Sequence, residues 1–501
     1  MKALLPSSPF RAPGRLSLSA LALAALLAGC SVGPLYHQPV TALPNDWKEQ
    51  KAAEGWLPAA PADALDRGEW WKLFGDPTLD ELASRVQVSN QNIAAAVANY
   101  ANAQALVRGQ RAGLFPQVSL NGSGRRSDTG STSPSNAFSA TLDATWAPDV
   151  WGRLRESVNS ASANAQASEA DLASARLSAI GNLATNYLSL READVEIGLL
   201  DQTIEGYERA YTITSNRYNA AIAAQSDVLQ AQSQLATARA TRLSLVRNRA
   251  TYEHAIAMLV GAVPADFSLP PAAWNQTVPG IPTGVPSTLL QRRPDIASAE
   301  RSVASANSQI GIARSAYFPS FNLSAAVGGS ASRVGDLFNA SNSLWSLGLS
   351  AAQVLFDAGA ISANVDAAKA SYDASVARYR QTVLAAFQGV EDQLTAGATL
   401  AQQEGMYREA SAAADKTEQI LLNQYRSALV AYTDVVTAQV AALNARRTLV
   451  QVQLNRQLAA VSLIQALGGG WHAGWMEGEA QPGQPAASPA SPASPASAAR
   501  P

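Results

Sequence analysis

The chain repeats its own pattern at a nearly constant interval, and this feature limits its fold more than any other. The stretch "RYNAAIAAQSDVLQAQ", which begins at Arg217, matches "QYRSALVAYTDVVTAQ", which begins at Gln424, at an offset of 207 residues. Upstream, the Phe-Pro pairs at 115–116 and 318–319 match at an offset of 203. Self-similarity of this kind indicates a structural duplication. The sequence therefore predicts two halves with one architecture.

Two long stretches without proline indicate long helices. The ranges 149–263 and 320–481 contain no proline and consist mainly of Ala, Gln, Leu, Ser and Arg. Most of these residues favour helices. Between positions 436 and 464, apolar residues recur at three- and four-residue steps, which is typical of the seam of a packed helix or a coiled coil. We predict one long helical hairpin in each half, over 151–260 and 357–467.

After each Phe-Pro pair, apolar and polar residues alternate as they do in β-strands. In "FSATLDATW", which begins at Phe138, every second residue is apolar and the others are Ser, Thr or Asp, and three further stretches alternate in the same way. Each stretch has about nine or ten residues, the length of a tilted membrane strand. We predict β-hairpins over 117–147 and 320–353, with "GRRSDTGSTSPSN" and "GGSASRVGDLFNASNS" as their exposed loops.

The N-terminus has the pattern of an exported lipoprotein. A basic start precedes an apolar run over 16–27, which is too short to span a bilayer, and "LAGC" follows at 27–30. This tetrad resembles the bacterial lipobox, so we predict a signal peptide over 1–29 and a covalent lipid on Cys30. Ser31 in the next position is typical of export to the outer membrane. Cys30 is the only cysteine, which excludes a disulfide framework; a buried cysteine inside an ordinary secretory signal is the alternative.

The alternating stretches fit either a soluble sheet that covers a core or a set of membrane strands. The lipoprotein signal and the long flanking helices favour membrane strands. Aromatic residues near the strand ends are then expected to face lipid. These residues are Phe115, Phe138, Trp146, Phe318, Phe321 and Trp345.

Four membrane strands cannot form a closed barrel within one chain. An open sheet edge in lipid leaves backbone N–H and C=O groups unpaired, at several kcal/mol each. The subunits must therefore share a barrel. Two chains would give eight strands with a filled interior, and three would give twelve, enough for a lumen lined by Ser, Thr and Asn. Strand length alone does not choose between the two.

Composition does not favour an enzyme or a nucleic-acid-binding protein. The net charge is −2, and Lys and Arg do not cluster. His37, His254 and His472 lie far apart without metal-ligand spacing, and no phosphate-binding loop occurs. We expect no cofactor apart from the lipid. A lipid-anchored structural coiled-coil protein is the alternative to a channel, but it leaves the two strand hairpins with polar faces unexplained.

Five motifs resemble the outer membrane factor family, the TolC-like trimeric channels, and especially its lipoprotein branch. They are "LAGC", "WWKLFGDPTLDEL" (70–82), "DVWGRLR" (149–155), "LLQRRPDIASAE" (289–300) and "VLFDAG" (354–359). The resemblance covers nearly all of the mature chain except the Ala/Ser/Pro tail. It implies a homotrimer in the outer membrane, with a twelve-stranded transmembrane β-barrel continued by a long α-helical barrel, so that most of the mass lies in the periplasm.

The resemblance also implies a function. A chain of this branch is expected to be the exit channel of a tripartite efflux pump for drugs or other small molecules. Its partners would be a periplasmic adaptor and an inner-membrane RND-type pump. Type I protein secretion and metal-ion efflux are the alternatives; Met258, Met406 and Met476, the methionines after the initiator, give no thioether ladder for copper or silver.

Family members close their periplasmic end at the tips of the helical hairpins, which the repeat places at 219–227 and 426–434. By resemblance, Asp227, Tyr425 and Asp434 match the acids and the tyrosine of that gate. An aspartate that opens a helix also stabilises the helix N-terminus, so the two acids fit a structural role as well. The chain departs from the family pattern at three positions: Ala221 and Ala428, where many members have glycine, and Val430, where some have arginine.

The predicted fold is a mixed α/β membrane protein with an internal duplication. The expected segments are a signal peptide (1–29), a lipidated arm with an equatorial segment (30–88), a first repeat (89–288), a second repeat (289–467) and a disordered tail (468–501).

Overall fold

The computed structural model describes residues 32–40, 47–48, 69–128, 134–281, 293–427 and 429–469. Cys30, the predicted signal peptide and the tail from residue 470 onward lie outside these ranges. The helices are α1 (Pro77–Ser89), α2 (Gln91–Ala112), α3 (Arg153–Asn219), α4 (Gln225–Leu259), α5 (Pro294–Ser315), α6 (Ala360–Arg426) and α7 (Tyr432–Ala466), and the strands are β1 (Gln117–Ser127), β2 (Ser135–Trp146), β3 (Ser320–Ala331) and β4 (Ser343–Ala352).

Corresponding helices of the two halves have equal lengths. Helices α2 and α5 each have 22 residues, α3 and α6 each have 67, and α4 and α7 each have 35. A 67-residue helix is about 100 Å long at 1.5 Å per residue. No helix in the described parts of the chain is both long enough and apolar enough to cross a membrane.

The Phe-Pro pairs end the helices in the same way in both halves. The Phe115 amide donates to the Ala112 carbonyl at 3.1 Å, and the Phe318 amide donates to the Ser315 carbonyl at 3.1 Å. The following proline has no amide hydrogen and biases the residue before it towards an extended backbone. The helix therefore stops, and a strand begins one residue after each proline, at Gln117 and Ser320.

The strands form one antiparallel sheet in the order β1-β2-β3-β4, so β1 and β4 are its edges. The register places Leu120 opposite Leu142, Leu142 opposite Val327 and Val327 opposite Trp345. Paired residues share a face of a sheet, so these side chains form one row of an apolar face. Large side chains on this face are exposed; they are Val118, Leu120, Leu142, Trp146, Val327, Trp345, Leu347 and Leu349.

The opposite face of the sheet is polar. It carries Ser119, Asn121, Ser123, Ser139, Thr141, Asp143, Asn322, Ser324, Ser346 and Ser350. Hydrogen bonds link neighbouring strands across it: Ser123 and Ser139 share one at 2.8 Å between their hydroxyl oxygens. The alternation in the sequence thus corresponds to two chemically different faces.

The strands extend further than predicted, and the two expected loops are shorter. Both "GRRS" and "GGSA", which we expected in loops, continue the strands β1 and β3. Glycine permits this because neighbouring strands approach each other closely there. A Cβ at Gly124 would lie 3.2 Å from the Phe138 ring, and a Cβ at Gly328 would lie 2.2 Å from the Ala140 carbonyl oxygen.

The six aromatic residues expected at the lipid surface occupy two kinds of position. By register, Phe138, Trp146, Phe321 and Trp345 lie on the apolar face. Phe115 is exposed in the turn before β1. Phe318 lies before β3 and stacks on Trp151, with the ring centroids 4.8 Å apart.

Two of the sequence motifs form matching helix caps. In "DVWGRLR", the Asp149 carboxylate accepts from the amides of Leu154 at 2.8 Å and Arg155 at 2.9 Å, at the start of α3. In "VLFDAG", the Asp357 carboxylate accepts from the amides of Gly359 at 2.9 Å and Ile361 at 2.7 Å, at the start of α6. Because these amides have no partner within the helix, each aspartate stabilises the start of a 67-residue helix.

The chain divides into two compact units. Among the described residues, one unit comprises 32–40, 99–128, 134–168 and 299–380, and it contains the whole sheet. The other unit contains the turns that join α3 to α4 and α6 to α7. We call these turns, with the adjoining helix ends, the first tip (217–227) and the second tip (424–434).

Candidate functional site

The first tip ends α3 with a well-defined cap. The Ala221 amide donates to the Tyr218 carbonyl at 2.8 Å, and the Ile222 amide donates to the Arg217 carbonyl at 2.8 Å. This pair of bonds is the Schellman cap, in which one residue adopts a left-handed backbone. Ala221 has φ of 57°, a conformation that glycine adopts without steric cost. The turn thus needs a conformation that glycine adopts most easily, and here an alanine adopts it.

The second tip buries two tyrosines. Tyr425 at the end of α6 is 7% exposed and Tyr432 at the start of α7 is 3% exposed. Their ring centroids lie 5.3 Å apart. Helices α3 and α4 complete the surroundings, through a buried cluster that consists of Ala210, Ala231, Tyr425, Tyr432, Val435 and Val436.

Arg217 connects the first tip to the second. Its guanidinium carbon lies 4.7 Å from the centre of the Tyr425 ring. Its Nη1 also donates to the Tyr425 backbone carbonyl, with the two atoms 3.3 Å apart. A cation over an aromatic face stabilises a contact by about 0.5–2 kcal/mol, depending on exposure. Arg217 therefore holds the ends of α3 and α6 together within one chain.

The two predicted gate acids lie at helix starts and do not bind Tyr425. The Asp434 carboxylate is exposed and accepts from the Ala431 amide at 3.2 Å, so it stabilises the start of α7. Asp227 lies in the first turn of α4, where the Ser226 hydroxyl is 3.4 Å from its carboxylate. The structure thus brings Tyr425 together with Arg217 and Tyr432. Both acids occupy the helix-start positions that the sequence also allowed.

The tyrosine pair is a buried element of the second tip. Burial, followed by the nearby Tyr425, Tyr207 and Asp227, raises the pKa of Tyr432 to about 12. Tyr432 is therefore neutral at any physiological pH. The Tyr425 hydroxyl is buried without a hydrogen-bond partner within the described chain. A buried hydroxyl without a partner destabilises by about 1–3 kcal/mol, so this group reduces the stability of the second tip.

Ion pairs join the two helices of each hairpin at positions outside the tip. Arg239 of α4 contacts Glu208 of α3 at 2.7 Å. At the corresponding position of the second hairpin, Arg446 of α7 contacts Asp415 of α6 at 2.7 Å. A second carboxylate, that of Glu418, lies 2.8 Å from Arg446. Both pairs join the same helix positions, 207 residues apart.

The described residues of the tips contribute packing contacts and helix caps. Within the described residues, no group of three or more His, Cys, Asp and Glu side chains is arranged to hold a metal ion. Sequence reasoning missed Arg217 and Tyr432. One signal was available for Arg217: the repeat has the uncharged Gln424 at the matching position.

Comparison with known proteins gives consistent matches over both halves. The family model described as outer membrane efflux protein matches residues 82–262 and 285–469. The antibiotic efflux pump outer membrane protein ArpC of Pseudomonas putida is 32% identical over 468 residues, which cover 91% of this chain and 96% of that protein. The cation efflux system protein CusC of Escherichia coli is 29% identical over 461 residues, covering 90% and 97%.

A solved structure has the same fold. The outer-membrane channel OprN matches with a TM-score of 0.82 and 29% sequence identity. The match covers 88% of this chain and 100% of the OprN chain.

Proposed function

This chain belongs to the outer membrane efflux protein family, and from that premise we propose that three copies form the outer-membrane exit channel of a tripartite pump. Its partners are a periplasmic adaptor and an inner-membrane RND-type pump. Its cargo is drugs or other small molecules, which is supported by the name of its relative ArpC, an antibiotic efflux pump outer membrane protein. The resemblance drawn from the sequence motifs is confirmed by the family match.

The sheet is the observation that carries this proposal. It has four strands, two unpaired edges and an apolar face with exposed Leu, Val and Trp side chains. In water such a sheet would aggregate through its edges and its apolar face. In a membrane, lipid covers the apolar face, and the edges β1 and β4 pair with the β4 and β1 strands of neighbouring copies. Every backbone group then has a partner.

Three copies account for the polar face. Eight strands from two copies would leave an interior that side chains fill, whereas twelve strands enclose a lumen. The Ser, Thr and Asn side chains of the polar face suit a wall in contact with water. The helical hairpins of the three copies would then form an α-helical tunnel on the periplasmic side.

The gate of this channel is proposed at the tips. Around a three-fold axis, each Asp227 lies near two other copies of Asp227, and each Asp434 near two other copies of Asp434. The carboxylates within each ring repel one another and attract cations. Tyr425, held by Arg217, joins the end of α6 to the end of α3 within each copy. Covalent lipid on Cys30 is proposed to anchor each chain, and mass spectrometry of the mature N-terminus tests it.

Conductance in planar bilayers tests the channel directly. We expect the purified protein to be trimeric by light scattering in detergent and to conduct. The variant that combines Asp227→Ala with Asp434→Ala should conduct more and should select cations less. A stable monomer, or no conductance from either protein, would overturn the channel. Unchanged conductance and cation preference in the variant would overturn only the gate residues.

A further inference from the structure

The strands of the sheet carry very few ionisable side chains. Within the four described strands these are Arg125, Arg126 and Asp143. Asp143 pairs with Ser119 on one side and Ala326 on the other, which places it on the polar face. Arg125 pairs with Ala137 and lies on the same face, six residues further along β1 than Ser119. The polar face thus has one acid and one base.

Asp143 is held in a fixed orientation by two neighbours. The side-chain amide of Asn121 donates to Asp143 Oδ2 at 2.7 Å, and the Thr141 hydroxyl donates to the same oxygen at 2.8 Å. Both bonds stabilise the ionised carboxylate. They leave Oδ1 without a partner among the hydrogen bonds of the described residues. The carboxylate is therefore ordered and charged, and it keeps one oxygen for water or a passing ion.

No side chain on the same row covers or neutralises this carboxylate. Across the sheet the row continues from Asp143 to Ala326 and Ser346, both small and uncharged. Arg125 is six residues distant along the strand direction, roughly 20 Å at 3.4 Å per residue. That separation exceeds the screening length of about 8 Å at physiological ionic strength. At that ionic strength the two charges thus act separately on the solution beside them.

We propose that Asp143 is a charge-selecting residue of the channel. Three copies form a ring on the wall of the barrel lumen, which raises the local concentration of cations and lowers that of anions. Arg125 forms a second ring of opposite charge nearer the β1–β2 loop. Cationic solutes are therefore favoured at the Asp143 level independently of the helical tips. This inference rests on the trimeric channel proposed above.

The effect depends strongly on salt because the lumen contains water. The screening length is about 30 Å at 0.01 M salt and about 3 Å at 1 M. A ring of three charges therefore acts across a wide lumen at low salt and only close to the wall at high salt. Asp143 should control ion preference in dilute solution and should leave high-salt conductance nearly unchanged.

The experiment measures single-channel reversal potentials in KCl gradients at low and high mean salt. We expect Asp143→Asn to lower the ratio of potassium to chloride permeability at least about twofold near 0.01 M, and to leave it unchanged near 1 M. Combining Asp143→Asn with Asn322→Asp should restore the preference, because Asn322 lies on the same polar face in β3. Thr141→Val keeps the charge and should keep the preference.

The outcomes separate this inference from the proposed function. No conductance from the wild type would overturn the channel itself. Normal conductance with equal reversal potentials for wild type and Asp143→Asn at low salt would overturn the role of Asp143 alone. A shift that Asn322→Asp does not restore would also overturn it, since the position of Asp143 and not its charge would then matter. Light scattering checks that each variant is a trimer.

Discussion

The two tips have equal helix and turn lengths, but matching side chains are exposed in the first tip and buried in the second. Each joins a 67-residue helix to a 35-residue helix through a turn of five residues. Tyr218 in the first tip is 42% exposed, whereas Tyr425 at the matching position of the second is 7% exposed. Further along, Gln232 is exposed and its counterpart Gln439 is buried. The duplication therefore sets the length and shape of the tips, and a few positions decide which tip is covered.

The differences concentrate where the second tip contacts α3 and α4. Position 225 in the first tip is glutamine, and the matching position 432 in the second is a buried tyrosine. Position 217 is arginine, and its match at 424 is glutamine. The second tip thus supplies the aromatic rings, and the first supplies the cation that contacts one of them. A movement that separates the tips must break this contact.

Removal of the Tyr432 side chain should have the largest effect on this comparison. Tyr432→Ala leaves a cavity in the buried cluster, and large-to-small changes of aromatic residues destabilise by about 3–5 kcal/mol. We expect a lower midpoint of thermal unfolding and faster proteolysis at 424–434. The matched control is Gln225→Ala in the first tip, at an exposed position, which should change both little. Equal effects of the two variants would show that the tips are equally covered.

A second difference between the halves lies further up the long helices. Glu192 of α3 is buried, whereas Thr399 at the matching position of α6 is exposed. Burial and the neighbouring Glu196 carboxylate raise the pKa of Glu192 to about 7. One oxygen of Glu192 has no hydrogen-bond partner within the described chain. At neutral pH this carboxylate therefore destabilises the fold.

Glu192→Gln should stabilise the protein by an amount that grows with pH. Below the ordinary glutamate pKa of about 4.3, Glu192 is protonated in both the folded and the unfolded chain, so the variant changes little. Between that pH and about 7, the unfolded chain loses the proton first, and wild-type stability falls. Above pH 7 the gain of the variant should be constant, at about 1–3 kcal/mol. Thermal midpoints at pH 5 and pH 8 measure it.

The control for Glu192 is its neighbour one turn along the helix. Glu196 accepts from Arg447 of α7 at 3.3 Å. Glu196→Gln removes the charge that Arg447 needs and should destabilise the protein at pH 8. A stabilisation by both variants would contradict the assignment of the unfavourable charge to Glu192.

Arg217→Gln makes the first tip resemble the second at this position. It removes the cation from the Tyr425 ring, a loss of about 1 kcal/mol that corresponds to roughly a fivefold shift in a two-state equilibrium. If the tips close the channel, the open fraction in single-channel recordings should rise by about that factor. Arg209→Gln is the control, because Arg209 is an exposed arginine on the same helix whose ion pair with Glu205 is also exposed. An equal rise in both variants would exclude a specific role for Arg217.

The sequence predicts the local elements well because local rules determine them. The missing amide of Pro116 and Pro319 stops the helices, and alternation assigns the faces of the strands. The sequence does not reveal that the strands continue through Gly124 and Gly328. Glycine is favoured in loops, and it is equally favoured where two strands approach each other closely, as they do here. Such an approach depends on the neighbouring strand and has no signature in the local pattern.

The candidate site was harder to predict than the fold. The repeat locates both tips, since their helices have equal lengths. It cannot show which of two matching tyrosines is buried, because burial depends on contacts with α3 and α4 that are distant in sequence. The aspartates lie in a recognisable motif, so the sequence predicts them as site residues. It does not predict Arg217, because the partner of Arg217 lies 208 residues further along the chain.

The smallest expected effect concerns Ala221, which has a left-handed backbone in the first tip. A left-handed backbone disfavours residues with a Cβ by about 1–2 kcal/mol. Replacement by glycine removes this cost, but it also increases the conformational entropy of the unfolded chain, which cancels part of the gain in stability. Ala221→Gly should therefore stabilise the first tip by about 0.5–1 kcal/mol, seen as slower proteolysis at 217–227. Ala220→Gly, at a residue without positive φ, should do the reverse. If both variants had the same sign, strain at Ala221 would not be what distinguishes the first tip from an ordinary helix end.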